Sequence, residues 1–216
     1  MAIERKNILF IDNSNIFQSQ HGFNKYQEQN GRPRYRIDWK KVLDYFKGEN
    51  QPIFDSHLFG SHPDPPNALQ DDFFRWLSKD LKFQLHLRQL VRRSIRCKKC
   101  GEQIDVCPKC TEPFSSLREK GVDVDIAVSL ITQADNFDTA ILFSGDRDLI
   151  GPVDHLRQRG KRVEVYAFSH SITDEYSKRY IPVTRIDDII SKIGKIQKPK
   201  ESDAPPSGVV ITEDPS

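Results

Sequence analysis

The sequence predicts an α/β fold, a doubly wound, Rossmann-like domain with a mostly parallel sheet of about five strands. Two observations carry that expectation. Short, continuous apolar runs recur along the chain and stop at polar residues, the pattern of strands covered on both faces. Between them lie segments with apolar residues at helical spacing, and strands alternating with helices imply right-handed crossovers onto a parallel sheet.

Taken in order, the first run is "NILFI" at 7–11, ending at Asp12. Trp39, Val42, Leu43 and Phe46 give a helix over 38–47, followed by the run at 53–59, "IFDSHLF". After the breaker "HPDPP", Leu69, Phe73, Phe74, Trp76, Leu77 and Leu81 share one helical face over 67–81. A third run spans 83–91. Val124, Ala127, Val128 and Ile131 mark a helix over 122–134, then come the run at 139–143, "TAILF", a helix over 149–159 and a last run at 162–168.

Two segments interrupt the alternation. Residues 92–121 hold all four cysteines and little helical periodicity, so they read as an insertion into a domain spanning 1–194. Residues 195–216, rich in proline and mixed charge, read as a disordered tail. A chain of 216 residues fits one such domain with an appendage. No apolar run approaches the roughly 20 residues that span a bilayer. The start, "MAIERKNILFID", lacks the apolar stretch and cleavage site of a secretory signal, so a cytoplasmic location and no membrane partner are expected. The net charge of +2 names no partner, and any electrostatic argument rests on where charges sit.

Acidic residues gather where such a sheet binds ligands, beyond the carboxyl ends of its strands. Asp12 follows the first strand; Asp146 and Asp148 follow the fourth in "FSGDRD"; Asp123 and Asp125 open the helix that feeds that strand. Any one of these aspartates alone would serve as a helix cap. Their convergence is different, because like charges at close range raise each other's pKa unless a cation offsets them. An all-carboxylate set suits Mg²⁺ or Mn²⁺, and the chemistry suggested is phosphodiester hydrolysis.

"FIDNSNI", "KGVDVDIAVSLI" and "AILFSGDRDLIGPVDHLRQRGKRVEVYAF" resemble the three signature blocks of the NYN domain, a branch of the PIN-like nuclease superfamily. The resemblance spans about residues 5–190 apart from the cysteine insertion. It implies a Rossmann-like sheet whose acidic pocket holds Mg²⁺ or Mn²⁺ and cleaves RNA, making the chain a hydrolase. It assigns Asp12, Asp123, Asp146 and Asp148 to the metal, with Asn15 and Ser144 beside them as catalytic-site residues. One departure stands out. Many relatives carry a further acid six residues after the helix aspartate, where this chain has Ser129. Asp125 lies about 200° around the helix from Asp123, so it need not face the same pocket.

"CKKCGEQIDVCPKC" sets Cys97, Cys100, Cys107 and Cys110 as two C-x-x-C pairs, the ligand spacing of a structural Zn²⁺ hairpin. Disulfides, disfavoured in a reducing compartment, and an iron–sulfur cluster are the alternatives. The arm is also basic: Lys82, Arg88, Arg92, Arg93, Arg96, Lys98 and Lys99 occur between Leu81 and Gly101 with no acid among them. All but Lys82 are candidates for RNA binding, although bases beside four thiolates also balance their charge. A smaller basic group, "RPRYR", places Tyr35 among Arg32, Arg34 and Arg36, where it would stack on an unpaired base. His57 and His86 fall inside strands and receive no role.

The expected function is therefore a metal-dependent ribonuclease acting on RNA, single-stranded by preference, with a homodimer left open. The first rival is an RNA-binding or protein-interaction module whose pocket is weak or inactive. The second is a phosphatase with Asp12 as nucleophile, disfavoured because Ser14 stands where a second acid is needed.

Overall fold

In the computed structural model the described residues are 5–197, apart from 66, 94, 97, 105, 108 and 112–115. The first half contains β1 (Asn7–Asp12), α1 (Asn13–Gln29), β2 (Arg34–Ile37), α2 (Trp39–Gly48), β3 (Ile53–His62), α3 (Ala68–Lys79) and β4 (Gln84–Gln89). An arm of short strands follows: β5 (Val91–Arg93), β6 (Ile95–Arg96), β7 (Gln103–Ile104) and β8 (Ser116–Arg118). The second half holds α4 (Val122–Thr132), β9 (Thr139–Phe143), α5 (Ile150–Gln158), β10 (Arg162–Ala167), α6 (Glu175–Lys178), β11 (Val183–Arg185), α7 (Ile186–Ile193) and β12 (Gly194–Gln197).

The central sheet has six strands in the order β11-β10-β9-β1-β3-β4, all parallel. The chain leaves β1 towards β3 and β4, then returns to the other side of β1 for β9 and β10. The strand order therefore reverses between β1 and β9, and their carboxyl ends open the crevice where α/β sheets bind ligands.

Both central strands are buried along their whole length. Their side chains alternate between two cores. Leu9, Ile11, Ile141 and Phe143 face α1, α2, α3 and α7. Ile8, Phe10, Ala140 and Leu142 face α4, α5 and Tyr176 of α6. A pleated strand sends successive side chains to opposite faces, so a continuous apolar run is what two covering layers require.

The doubly wound α/β architecture is as the sequence predicts, with differences at its margins. The sheet gains β11 at one edge, and β2 pairs antiparallel with β12 beside it. Helix α1 escapes apolar periodicity because half of its buried residues are polar: Ile16 and Phe23 are joined by Ser19 and Asn24. Asn24 accepts from the Tyr35 amide and donates to the Tyr35 carbonyl, each at 2.8 Å, so the helix holds β2 through polar contacts. Of the tail expected from residue 195, Lys195–Gln197 instead complete β12; the rest of that expectation, 198–216, lies outside the described residues. Among the described residues no helix is long and apolar enough to cross a membrane.

The cysteine insertion grows from the carboxyl end of β4. Antiparallel pairing of β5 with β8 forms its stem, and β6 with β7 forms a second tier.

Candidate metal centre

Asp12 closes β1 and caps α1. Its Oδ1 accepts the Asn15 amide at 3.0 Å and its Oδ2 accepts the Ser144 hydroxyl at 3.0 Å. The residue is only 2% exposed, and burial pushes its carboxyl up to about 6. Those two hydrogen bonds pull the other way, whereas the charges of Asp123 and Glu119 add to the rise.

The turn after β9 is locked from several sides. The Asn15 side-chain oxygen accepts the Gly145 amide at 3.1 Å, tying α1 to this turn. Ser144 Oγ accepts the Asp146 amide at 3.2 Å, and the Tyr176 hydroxyl donates to the Asp146 carbonyl at 2.6 Å. Gly145 is required for packing: a Cβ there would lie 2.5 Å from the Ser171 carbonyl oxygen. Asp146 also caps the short 3₁₀ turn Arg147–Leu149 by accepting the Asp148 amide at 3.0 Å.

Asp123 enters from the first turn of α4, which follows Gly121 in a left-handed conformation, φ 83°. One carboxylate oxygen each from Asp12, Asp123 and Asp146 lies within 4.8 Å of the other two. The Asp123 carboxyl is raised, first by desolvation and then by the charges of Asp146, Glu119 and Asp148. Three carboxylates this close, one of them buried, repel each other, and hard oxygen donors without nitrogen or sulfur fit Mg²⁺ or Mn²⁺.

Of the residues expected here, Asp12, Asp123 and Asp146 converge. Asn15 and Ser144 brace them. Asp148 stands exposed outside the triad, near enough for its charge to reach Asp123. Asp125 turns away and forms an ion pair with Arg88, its Oδ1 accepting Arg88 Nη2 at 2.6 Å. That pair also engages a base expected to bind RNA. Arg92 and Arg93 lie on β5, Arg96 is exposed on β6, and Lys98 and Lys99 are exposed in the turn that follows.

Tyr35 is half-buried and packs against the core, and Arg34 beside it pairs with Glu28 at 3.0 Å. Ser129 is buried on α4, and its hydroxyl accepts Gln133 Nε2 at 2.6 Å. His57 and His86 stack with Phe10 and Phe59, the two imidazoles 3.0 Å apart through nitrogen.

Cys97 lies outside the described residues. Among those described, Cys100, Cys107 and Cys110 do not form a converging ligand set as the three aspartates do. The Cys107 thiol is nonetheless held below its usual range by the Cys110 and Lys109 amides and the Cys110 thiol.

Glu119 is the residue that sequence reasoning passes over. Its Oε2 accepts the hydroxyls of Ser14, at 2.6 Å, and Ser61, at 2.5 Å. The one signal in the sequence is an acid four positions before Asp123, which the boundary of the insertion disguises.

The chain matches the NYN domain family over residues 6–183, most of its length. It is an NYN-domain protein. That family belongs to the PIN-like nucleases, and the acidic triad of this NYN domain lies at the strand ends where the fold places a ligand. A crystal structure of a protein of unknown function, VPA0982 from Vibrio parahaemolyticus RIMD 2210633, is similar in fold: TM-score 0.60, 18% identity, covering 90% of this chain and 99% of that one. Two solved structures of Sir2 enzymes align only at TM-score 0.36, with 10% and 8% identity over 87% and 88% of this chain and 90% of theirs. No curated protein matches the sequence.

Proposed function

We propose that this NYN domain is a metal-dependent ribonuclease, and the observation that carries the reading is the triad of Asp12, Asp123 and Asp146. These residues would hold Mg²⁺ or Mn²⁺, which when bound supplies an activated water and offsets charge at the phosphorus. The chain's own contribution is to keep the three carboxylates in register. Asn15 and Ser144 do so by fixing the Asp12 carboxylate and the Gly145 turn, so they are positioning residues. Asp148, at the rim, would bear on the charge of the site without joining the triad.

RNA would approach along the arm, where Arg96, Lys98 and Lys99 are exposed to bind phosphates. Phe17 is 67% exposed and lies one turn along α1 from Ser14. Its ring offers a stacking face for an unpaired base, which favours single-stranded substrates. Cys97, Cys100, Cys107 and Cys110 would bind structural Zn²⁺; amides directed at the Cys107 sulfur favour the thiolate that such a site needs.

The second reading, an RNA-binding module with a weak pocket, is favoured by Ser129, which leaves the buried face of α4 without a further acid. Cleavage of a single-stranded RNA with Mn²⁺ separates the two. Asp146→Asn should slow it by about a thousandfold, equivalent to roughly 4 kcal/mol of transition-state stabilisation. Equal cleavage by the variant contradicts the assigned site, and binding without cleavage by the native protein supports the second reading.

A further inference from the structure

We infer that Glu119 is a fourth carboxylate of this site, whose Oε1 orients a water on the divalent cation held by Asp12, Asp123 and Asp146. The inference rests on the metal-centre reading above and adds a residue from the arm to it.

Glu119 and Asp123 lie on either side of one turn. The chain leaves β8, passes Glu119 and Lys120, and folds back at Gly121 into α4. Ser14 on α1 and Ser61 on β3 then both donate to the same oxygen, Oε2. Two donors on one oxygen fix the carboxylate plane and leave Oε1 with no hydrogen bond among the described residues. Both serines flank the pocket: Ser14 is two residues from Asp12, and Ser61 is near the carboxyl end of the strand paired with β1.

The charge balance points the same way. Asp125, two residues after Asp123, is neutralised by Arg88. Glu119 has no Lys, Arg or His within ion-pair distance among the described residues, and its charge bears on both Asp12 and Asp123. A carboxylate oriented by two hydroxyls towards other carboxylates, with no basic partner, is unfavourable unless a cation is shared. Glu119 is not among the oxygens lying within 4.8 Å of one another, so it is assigned to a bound water and not to the cation itself. Mg²⁺ and Mn²⁺ characteristically keep several waters, and outer carboxylates hold those waters in place. The buried face of α4 has no acid to do this, since Ser129 is occupied by Gln133.

Mn²⁺ titration of the metal-free full-length protein, followed by the electron paramagnetic resonance of free Mn²⁺, tests the inference without requiring turnover. Glu119→Gln should weaken Mn²⁺ binding about tenfold at unchanged stoichiometry. Ser61→Ala, which removes one of the two orienting hydroxyls, should weaken it by a smaller factor. The melting temperature of metal-free Glu119→Gln should hold or rise, because a repelling charge is removed. Native Mn²⁺ affinity in Glu119→Gln, or a lower melting temperature with unchanged affinity, overturns the inference and leaves the metal centre standing. No Mn²⁺ binding by the native protein, or binding that Asp146→Asn does not disturb, overturns the metal centre itself and the inference with it.

Discussion

The pocket mouth and the cysteine arm are neighbours built on opposite terms. At the mouth, two buried strands and the first turn of α4 set the positions of three carboxylates, and amides, hydroxyls and one glycine hold the turns beside them in place. In the arm, strands of two or three residues are joined by turns, and Arg96, Lys98, Lys99, Cys100 and Cys110 are exposed. The mouth is braced by hydrogen bonds before any ligand arrives, at the expense of uncompensated negative charge. The arm has compensating positive charge but little core, and strands so short need another source of order. Glu119 joins the two, leaving the arm at β8 and clamped by serines of the mouth.

The largest effect expected at the mouth is that of Asp12→Asn, which should reduce cleavage by about a thousandfold while stabilising the metal-free protein. A carboxyl whose folded pKa is about 6 against an ordinary 3.8 contributes stability below pH 4 and loses it as pH rises through 6. At pH 7.5 its replacement should add up to about 3 kcal/mol. The native melting temperature should fall between about pH 4 and pH 6 relative to the variant's, a comparison for calorimetry in chelator.

Gly145→Ala tests the packing of the same turn. Its new Cβ meets a backbone oxygen at 2.5 Å, so the melting temperature should drop by about 5 °C, equivalent to roughly 2 kcal/mol. Cys107→Ser probes the other region. It should abolish bound zinc, as measured by elemental analysis, and weaken RNA binding, yet move the core's unfolding by less than about 1 kcal/mol. A collapse of the core in that variant would show that the two regions are not separable. The smallest effect is expected from Phe17→Ala, a several-fold rise in KM for single-stranded RNA with kcat nearly unchanged, as loss of about 1 kcal/mol of stacking predicts.

The sequence displays the mouth more plainly than the arm, and the reason is physical. Burial on both faces forces β1 and β9 to be apolar throughout, so their ends, and hence Asp12 and Asp146, can be read directly. Asp123 is legible because it opens a helix, whereas the angle of Asp125 on that helix says only that it need not face the pocket, and its pairing with Arg88 appears in the structure alone. Elements held by polar contacts are not legible. Helix α1 hides behind Asn24 and Gln20, which bond the backbone of β2. Strand β11 has three residues and sits at an edge, too short for a periodic signal. Helix α7 carries apolar residues at the right spacing, Ile186, Ile189, Ile190 and Ile193, and was open to the same reading as the longer helices. Glu119 is invisible for another reason: its place depends on Ser14 and Ser61, 105 and 58 residues away in the chain.

The central claim is that the mouth of the sheet is a cation site, and crystals soaked in Mn²⁺ test it most directly through anomalous difference density. A peak bounded by the carboxylates of Asp12, Asp123 and Asp146, with Glu119 facing one of its waters, is the predicted result. A mouth without density at saturating Mn²⁺, with all three aspartates ordered around water alone, would contradict it.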